Sequence, residues 1–416
     1  MVQVTLARVG CDLSRHRLPP FNHSVRDSVL PIPTRALGIR LMGVVGICVA
    51  LLVVDVWQRP SLSGEARGSW PQPGRLTGEP LQWLAGGHIP MPPATPAAHA
   101  SALLPMPAQH PDAMLAFWFA GSRESGPDVQ IAAAAFSRAG QQWSAARFVV
   151  NRQAVGDRLG FGVRRLGNPV AWRDATGRIH LFVVATGLGG WAAGRILQLR
   201  QTDVGSTFDS LAFEPVRVLP LSWLWNTSHL VRAMPLPLAD GGMVLPAYFE
   251  LGTKYPVALR FDADGEFLGL VRMSQRGYLL QPTLLMRTDS EWLALMRDNS
   301  PQRTLRAAQT SDGGMHWRDL PDLALPNPDA SIAGLSLQPG LMFLAHNPRP
   351  DTRAVLDLSV SRDGLQWQRL LTLAQGDGPA EYSYPAMAWA DDSLWISYTD
   401  QRQRIAWQRL ALRRHD

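Results

Sequence analysis

The octet at residues 310–317, TSDGGMHW, constrains this chain more than any other stretch. It sets a hydroxyl, an Asp, a Gly and a Trp at a spacing that closes a hairpin turn. The carboxylate accepts hydrogen bonds from turn amides, the Gly takes a positive φ, and the Trp packs between neighbouring sheets. A shortened copy, SRDGLQW, stands at 361–367. A third, DVGSTF at 203–208, has Gln201 where a hydroxyl is expected, and a fourth, SRAGQQW at 137–143, has Ala139 in place of the Asp. Four such turns in one chain predict a repeated β-unit. They brace a fold and carry no chemistry.

Spacing gives the size of that unit. Asp203 and Asp312 are 109 residues apart, and Asp312 and Asp363 are 51 apart, which corresponds to a repeat of about 50–55 residues. From His99 onward, apolar runs such as MLAFWFAG, IHLFVVAT and SLWISYTD alternate with Gly, Pro, Asp and Asn. Each has strand length and none keeps a 3.6-residue period. Residues 80–411 hold six such units, so we expect an all-β fold, a six-bladed β-propeller closed by pairing its last strand with its first sheet.

The N-terminal quarter reads differently. Residues 1–40 are polar, carry Arg8, Arg15, Arg17, Arg26, Arg35 and Arg40, and lack a hydrophobic period, which predicts a disordered cytoplasmic tail. Residues 41–54 are uninterruptedly apolar, and with Asp55, Val56 and Trp57 the segment reaches 57. No small-residue cleavage site follows, so a transmembrane signal anchor over 41–57 is favoured over a signal peptide. The basic residues before it place the rest of the chain on the periplasmic or extracellular side. Residues 58–98 contain eight prolines and many glycines. They read as a stiff linker that holds a domain, residues 99–416, off the membrane.

Composition narrows the partners. The net charge is +6, but the basic residues are scattered and all are Arg except Lys254. With no basic run, nucleic-acid binding is not expected. The only cysteines, Cys11 and Cys48, precede the domain, which excludes a disulfide framework or a Cys metal site there. No nucleotide or zinc motif appears, and no metal or cofactor is expected. The Asp-rich turn at 262–265 is a weak calcium candidate. A monomer is expected.

The four turn motifs and their spacing resemble the Asp-boxes of the sialidase (neuraminidase) superfamily, and more closely those of predicted neuraminidases with BNR repeats. The resemblance covers residues 99–410, including WFAGSRESGPDVQI, LGNPV, LPNPDAS and EYSYPA. It implies a sialidase-like propeller that binds an acidic sugar's carboxylate with arginines and attacks the anomeric carbon with a Tyr. Matched string by string, Arg123 and Asp128 correspond to the loop Arg and acid/base Asp. Arg297 in MRDN and Arg353 in HNPRPDTR correspond to triad arginines, and Tyr382 in EYSYP to the nucleophile. Two positions depart from the pattern. His99 stands where the first triad Arg is expected, and Gln281 where a Glu activates the Tyr. Gln cannot act as a base, so that mechanism needs a substitute such as Glu381 or Glu250.

Each candidate has a structural alternative. The arginines could bridge blades, Asp128 could close a turn, and of Tyr382 and Tyr384 one could face the site and the other the packing. Trp191, Trp223 and Trp225 could stack on sugars or pack between blades. The sequence therefore supports a membrane-anchored exo-glycosidase acting on an acidic-sugar glycoside. A uronate polysaccharide lyase and a non-catalytic carbohydrate-binding propeller are the alternatives.

Overall fold

The computed structural model describes residues 34–58, 62, 64–71, 76–124 and 126–414. The expected tail lies outside the described residues up to residue 33, as does Cys11. The chain divides into two units, residues 1–53 and 54–416. A helix, Thr34–Trp57, spans the boundary, and its stretch Ile39–Trp57 is 19 residues long and apolar enough to cross a membrane. Arg40 and Asp55 are the charged residues in that stretch, one near each end.

The second unit is a ring of six antiparallel sheets, a six-bladed propeller. The inner strands, which define blades 1 to 6, are Ala97–Pro105, Arg165–Arg173, His229–Val231, Leu279–Met286, Ala333–Gln338 and Tyr382–Ala390. Neighbouring blades touch around the axis, and blade 1 meets blade 6. Blade 6 is completed from the N-terminal side: Leu76–His88 pairs with Arg404–Arg414, so the ring ends leave no free inner edge. That strand falls within the stretch read as linker. LTGEPLQWLAGGH carries a Pro and three Gly, so it shows no alternation by which a strand could be recognised.

The preceding residues are also built into the propeller. Ser69 N–H donates to Pro237 O at 2.8 Å, Gly68 N–H to Asp289 O at 2.7 Å, and Trp70 Nε1–H to Asp289 Oδ1 at 2.8 Å. Residues 66–70 thus run across blades 3 and 4 rather than standing free. Gly313 marks the crossing: a Cβ there would come within 2.0 Å of Ala66 O.

The turn motifs form as their chemistry demands. Asp312 Oδ1 accepts from Met315 N at 3.0 Å, His316 N at 2.9 Å and Thr310 Oγ1 at 2.7 Å. Asp363 accepts from Leu365 N, Gln366 N (both 2.8 Å) and Ser361 Oγ (3.0 Å). Asp203 is left with one amide, Gly205 N at 3.0 Å, while Gln201 reaches Ser206 Oγ. In the copy lacking Asp, Ser137 Oγ accepts from Gly140 N, and Trp143 still packs edge-on against Phe136, Trp395 and Trp407 between blades 1 and 6. At 262–265, Asp262 Oδ1 accepts from Asp264 N and Glu266 N, which is the role of a turn-closing residue.

One irregularity recurs on the inner strands. In blades 1, 2, 4 and 6 the register slips by one residue between His99 and Ala102, Gly167 and Val170, Leu280 and Thr283, and Ser383 and Ala386. The extra residue in each has positive φ: Ala100 (55°), Asn168 (44°), Gln281 (46°) and Tyr384 (53°). These are β-bulges at equivalent positions, and a bulge re-aims the side chains beside it. Three of the four are followed by Pro (Pro169, Pro282, Pro385), which removes a donor where the ladder is interrupted.

Two predictions follow from these features. Asp312→Ala strands three donors and should lower the unfolding free energy by about 1–3 kcal/mol, whereas Asp203→Ala should cost well under half as much; denaturant unfolding compares them. His346 is buried in blade 5, bonded through Nε2 to Ser359 Oγ at 3.0 Å, and burial lowers its pKa to about 4. The unfolded chain takes up a proton near pH 6.5 and the native fold does not, so stability should fall as pH drops from 6.5 towards 4. The loss from this group reaches at most about 3 kcal/mol. Thermal midpoints of His346→Gln should show a shallower acid limb; an unchanged slope would contradict the assignment.

Candidate functional site

The mouth of the propeller lies where the inner strands begin, and the bulges aim a set of polar side chains at the axis there. Tyr384 stands at the centre of this set. Its hydroxyl is 3.3 Å from Arg297 Nη1, and its ring lies 4.1 Å from that of His99, tilted by 52°. The guanidinium of Arg232 sits 5.3 Å from the Tyr384 centroid. Burial raises the pKa of this phenol, but Arg297 and Arg353, with hydrogen bonds from Gln281 and Arg297, outweigh it and bring the net value below the usual 10.

Arg297 is held from two sides. Its Nε–H donates to Asp329 Oδ1 at 2.6 Å, and Nη1–H to Gln281 Oε1 at 3.0 Å. Asn299 Nδ2 fixes the other Asp329 oxygen at 2.8 Å. Gln281 points its amide towards Tyr248 Oη at 3.4 Å. Arg353 pairs with Glu381 at 3.0 Å, and Glu381 also accepts from Ser383 Oγ at 2.7 Å and Arg402 Nε at 2.7 Å. Arg402 then reaches Glu124 of the blade 1 loop at 122–129. The site is therefore a belt of alternating guanidinium and carboxylate groups around one tyrosine.

His99 lies inside this belt, 2% exposed, and neither ring nitrogen has a protein partner. Burial, then the charges of Arg402, Arg232, Arg353 and Arg297, hold its pKa well below 6.5. It is a neutral imidazole at physiological pH. Arg232 is equally buried. It donates to Ser101 O (3.2 Å) and Pro385 O (2.9 Å), and also to Tyr384 O, and burial pushes it down to about 10, so it stays charged. Among the site carboxyl groups Glu250 is raised, by burial, despite Arg297 and Lys254.

Of the residues singled out from sequence, His99, Gln281, Arg297 and Arg353 converge here. Tyr382 does not. Its ring is 6.4 Å from that of Tyr398 and packs in the core of blades 5 and 6. Residues 382 and 384 would share a face in a regular strand; the bulge at Tyr384 separates them, and Tyr384 takes the place expected of Tyr382. Arg123 and Asp128 lie at the rim and are exposed. Arg123 lines the cleft beside His99 with Glu124 and Arg402. Asp128 accepts from Ser122 N at 2.7 Å and Ser122 Oγ at 2.8 Å, and those bonds, the hydroxyl's first, lower its pKa. In this arrangement it is a carboxylate closing a turn and not a proton donor. Trp191 packs over Gly167, whereas Trp223 and Trp225 are 57% and 53% exposed.

Arg232 lay in no motif, and Asp329 stood in the LPNPDAS string with no role assigned to it. The signal for Tyr384 was the Y-P dipeptide, which repeats the N-P and Q-P steps of blades 2 and 4.

Residues 112–396 match the family model of the BNR repeat-like domain. The chain belongs to that family. The same fold is seen in solved sialidases: a Hadza microbial sialidase (TM-score 0.61, 17% identity, 76% of this chain and 66% of that one) and the Trypanosoma rangeli sialidase in complex with sialic acid (0.60, 12%, 78% and 56%). A Dyadobacter fermentans protein of unknown function superposes over 80% of this chain and 99% of its own, with a TM-score of 0.62 and 12% identity. This BNR-repeat propeller thus spans 66% and 56% of the two sialidase chains, and at such identities the likeness establishes the fold. No curated protein matches it.

Replacing Arg232 by Met would leave three carbonyls without their shared donor. We expect a loss of at least about 3 kcal/mol of stability, measured by denaturant unfolding, far above that of Arg123→Met at the rim.

Proposed function

We propose that this BNR-repeat propeller is a glycoside hydrolase acting on an anionic sugar outside the cytoplasm, tethered by the helix Ile39–Trp57. The observation that carries the reading is Tyr384: a half-buried phenol, its pKa lowered by two arginines, at the axis of a sialidase-like fold. Arg297 and Arg353 would receive a sugar carboxylate, whose planar pair of oxygens fits a guanidinium fork. Substrate binding would displace Asp329 or Glu381 from those forks. Tyr384 Oη, deprotonated, would bond to the anomeric carbon as the glycosidic C–O bond breaks. The leaving oxygen takes a proton from a site acid, Glu250 or an unlatched Asp128, and water then releases the sugar. Sialidases are an acknowledged tyrosine-using exception among glycosidases.

Gln281 favours one further reading. With an amide and a guanidinium, rather than a carboxylate, hydrogen-bonded to Tyr384, and with neutral His99 against its ring, the phenolate is suited to removing a proton next to a uronate carboxylate, as in β-elimination.

The test uses the full chain with a fluorogenic sialoside and a panel of uronate polysaccharides. Tyr384→Phe should lower turnover by about 10³-fold or more, and Tyr382→Phe by less than about 10-fold. The rising limb of the rate against pH should have an apparent pKa below 10 and move upward in Arg353→Ala, because that charge stabilises the phenolate. Gln281→Glu should accelerate sialoside release if the enzyme hydrolyses. An ultraviolet-absorbing unsaturated product, lost in the same variant, would establish elimination. Indifference of both activities to Tyr384→Phe would refute both readings.

A further inference from the structure

The connection from blade 2 to blade 3, residues 219–228, lies on the mouth side, because the outer strand Phe213–Val218 ends there and His229–Val231 begins there. It exposes three consecutive large apolar residues, Trp223 (57%), Leu224 (40%) and Trp225 (53%). The mouth-side loops of blades 2 and 3 add Leu188 (77%) and Leu251 (44%). An aromatic pair and aliphatic side chains gathered on one rim are more than scattered surface residues.

The occupant of this rim is indicated by Asp55. Its Oδ1 accepts from Ser222 Oγ and from Leu224 N, both at 2.8 Å, and its side chain is 3% exposed. Asp55 is two residues from Trp57, where the stretch apolar enough to cross a membrane ends. Nineteen helical residues rise about 28 Å, roughly the hydrocarbon thickness of a bilayer. Chain connectivity therefore fixes Asp55 near the membrane surface if the helix spans, and its two hydrogen bonds bring the tip at 222–225 to the same level. Trp57 is itself 83% exposed. Three exposed tryptophans at one level suit a membrane–water interface, where the indole body is apolar and its N–H stays wet. Arg123, Arg158 and Arg164 are exposed on the mouth side, which suits anionic headgroups.

We infer that the 222–225 tip is a membrane-interface contact, so that the mouth of the propeller opens beside the bilayer and not away from it. The inference rests on the reading of Ile39–Trp57 as a membrane span. It makes the accessible substrate a glycan displayed at that surface, such as a glycolipid headgroup.

The experiment uses the full chain in nanodiscs of phosphatidylcholine and phosphatidylglycerol. An environment-sensitive fluorophore is attached at the native Cys48 in a Cys11→Ser background. It is also attached at Leu224→Cys or Val204→Cys in a Cys11→Ser, Cys48→Ser background. Val204 is 41% exposed on the opposite face. Shallow and deep nitroxide lipids act as quenchers. We expect strong quenching at 48 by the deep label, quenching at 224 by the shallow label at least about threefold above that at 204, and a loss of most of the 224 signal when Ser222→Ala and Asp55→Asn are combined. Quenching at 48 with equal values at 224 and 204 would overturn the inference alone. Absence of quenching at 48 would remove the span and the inference together. Neither result depends on turnover, so a failure of the hydrolase reading is seen separately.

Discussion

The guanidinium of Arg232 is the interaction on which the site depends. It leaves blade 3 and donates to carbonyls at the bulges of blade 1 (Ser101) and blade 6 (Tyr384, Pro385), across the axis. Bulged backbone exposes carbonyls that no ladder satisfies, and a buried carbonyl without a donor is costly. One cation with five N–H groups in a fixed plane meets that need where three neutral donors would not fit. The arrangement is reciprocal. The carbonyls and the Tyr384 ring keep a desolvated charge tolerable, and the charge keeps the strained residue at Tyr384 in its positive-φ conformation.

Around that clamp the charges are nearly self-neutralising. Arg297 with Asp329, Arg353 with Glu381, and Arg402 with Glu381 and Glu124 form a belt in which each guanidinium already has a carboxylate. A ligand carboxylate gains affinity only as the difference between its own pairing and the one it replaces. Any anion bound at the mouth would therefore have to replace a carboxylate already paired there. The belt also ties the site to the blade 1 loop, since Glu124, Arg402, Glu381 and Arg353 are linked in series by three ion pairs.

The N-terminal side of the second unit is structural. Leu76–His88 completes blade 6 and residues 66–70 cross blades 3 and 4, so the ring cannot be finished until residues far apart in sequence have met. Such non-local closure slows folding and, once made, ties opposite sectors together.

The turn motifs determined the class of fold, because an Asp at a fixed offset from Gly and an aromatic satisfies turn amides in only a few geometries and recurs in blades 2, 4 and 5, with a copy lacking the Asp in blade 1. The uninterrupted apolar run at 41–54 likewise indicated the helix. Four of the seven residues singled out from sequence, His99, Gln281, Arg297 and Arg353, gather at the mouth: the first two stand near the start of inner strands, Arg297 near the end of Trp292–Asp298, and Arg353 in the loop before Val355–Ser361. Tertiary structure decided the rest. Tyr384, and not Tyr382, faces the axis because a single inserted residue changes which side chain points there, and alternation read from sequence assumes that no residue is inserted. Arg232 was invisible, because its partners are carbonyls supplied by two distant blades. Asp128 looked like an acid by its place in a string, but the proton affinity of a carboxyl is set by its donors, and Ser122 supplies them only once the loop has folded. The strand at Leu76–His88 was hidden for the same reason: what makes it a strand is the edge of Arg404–Arg414, some 320 residues later, and not a pattern of its own.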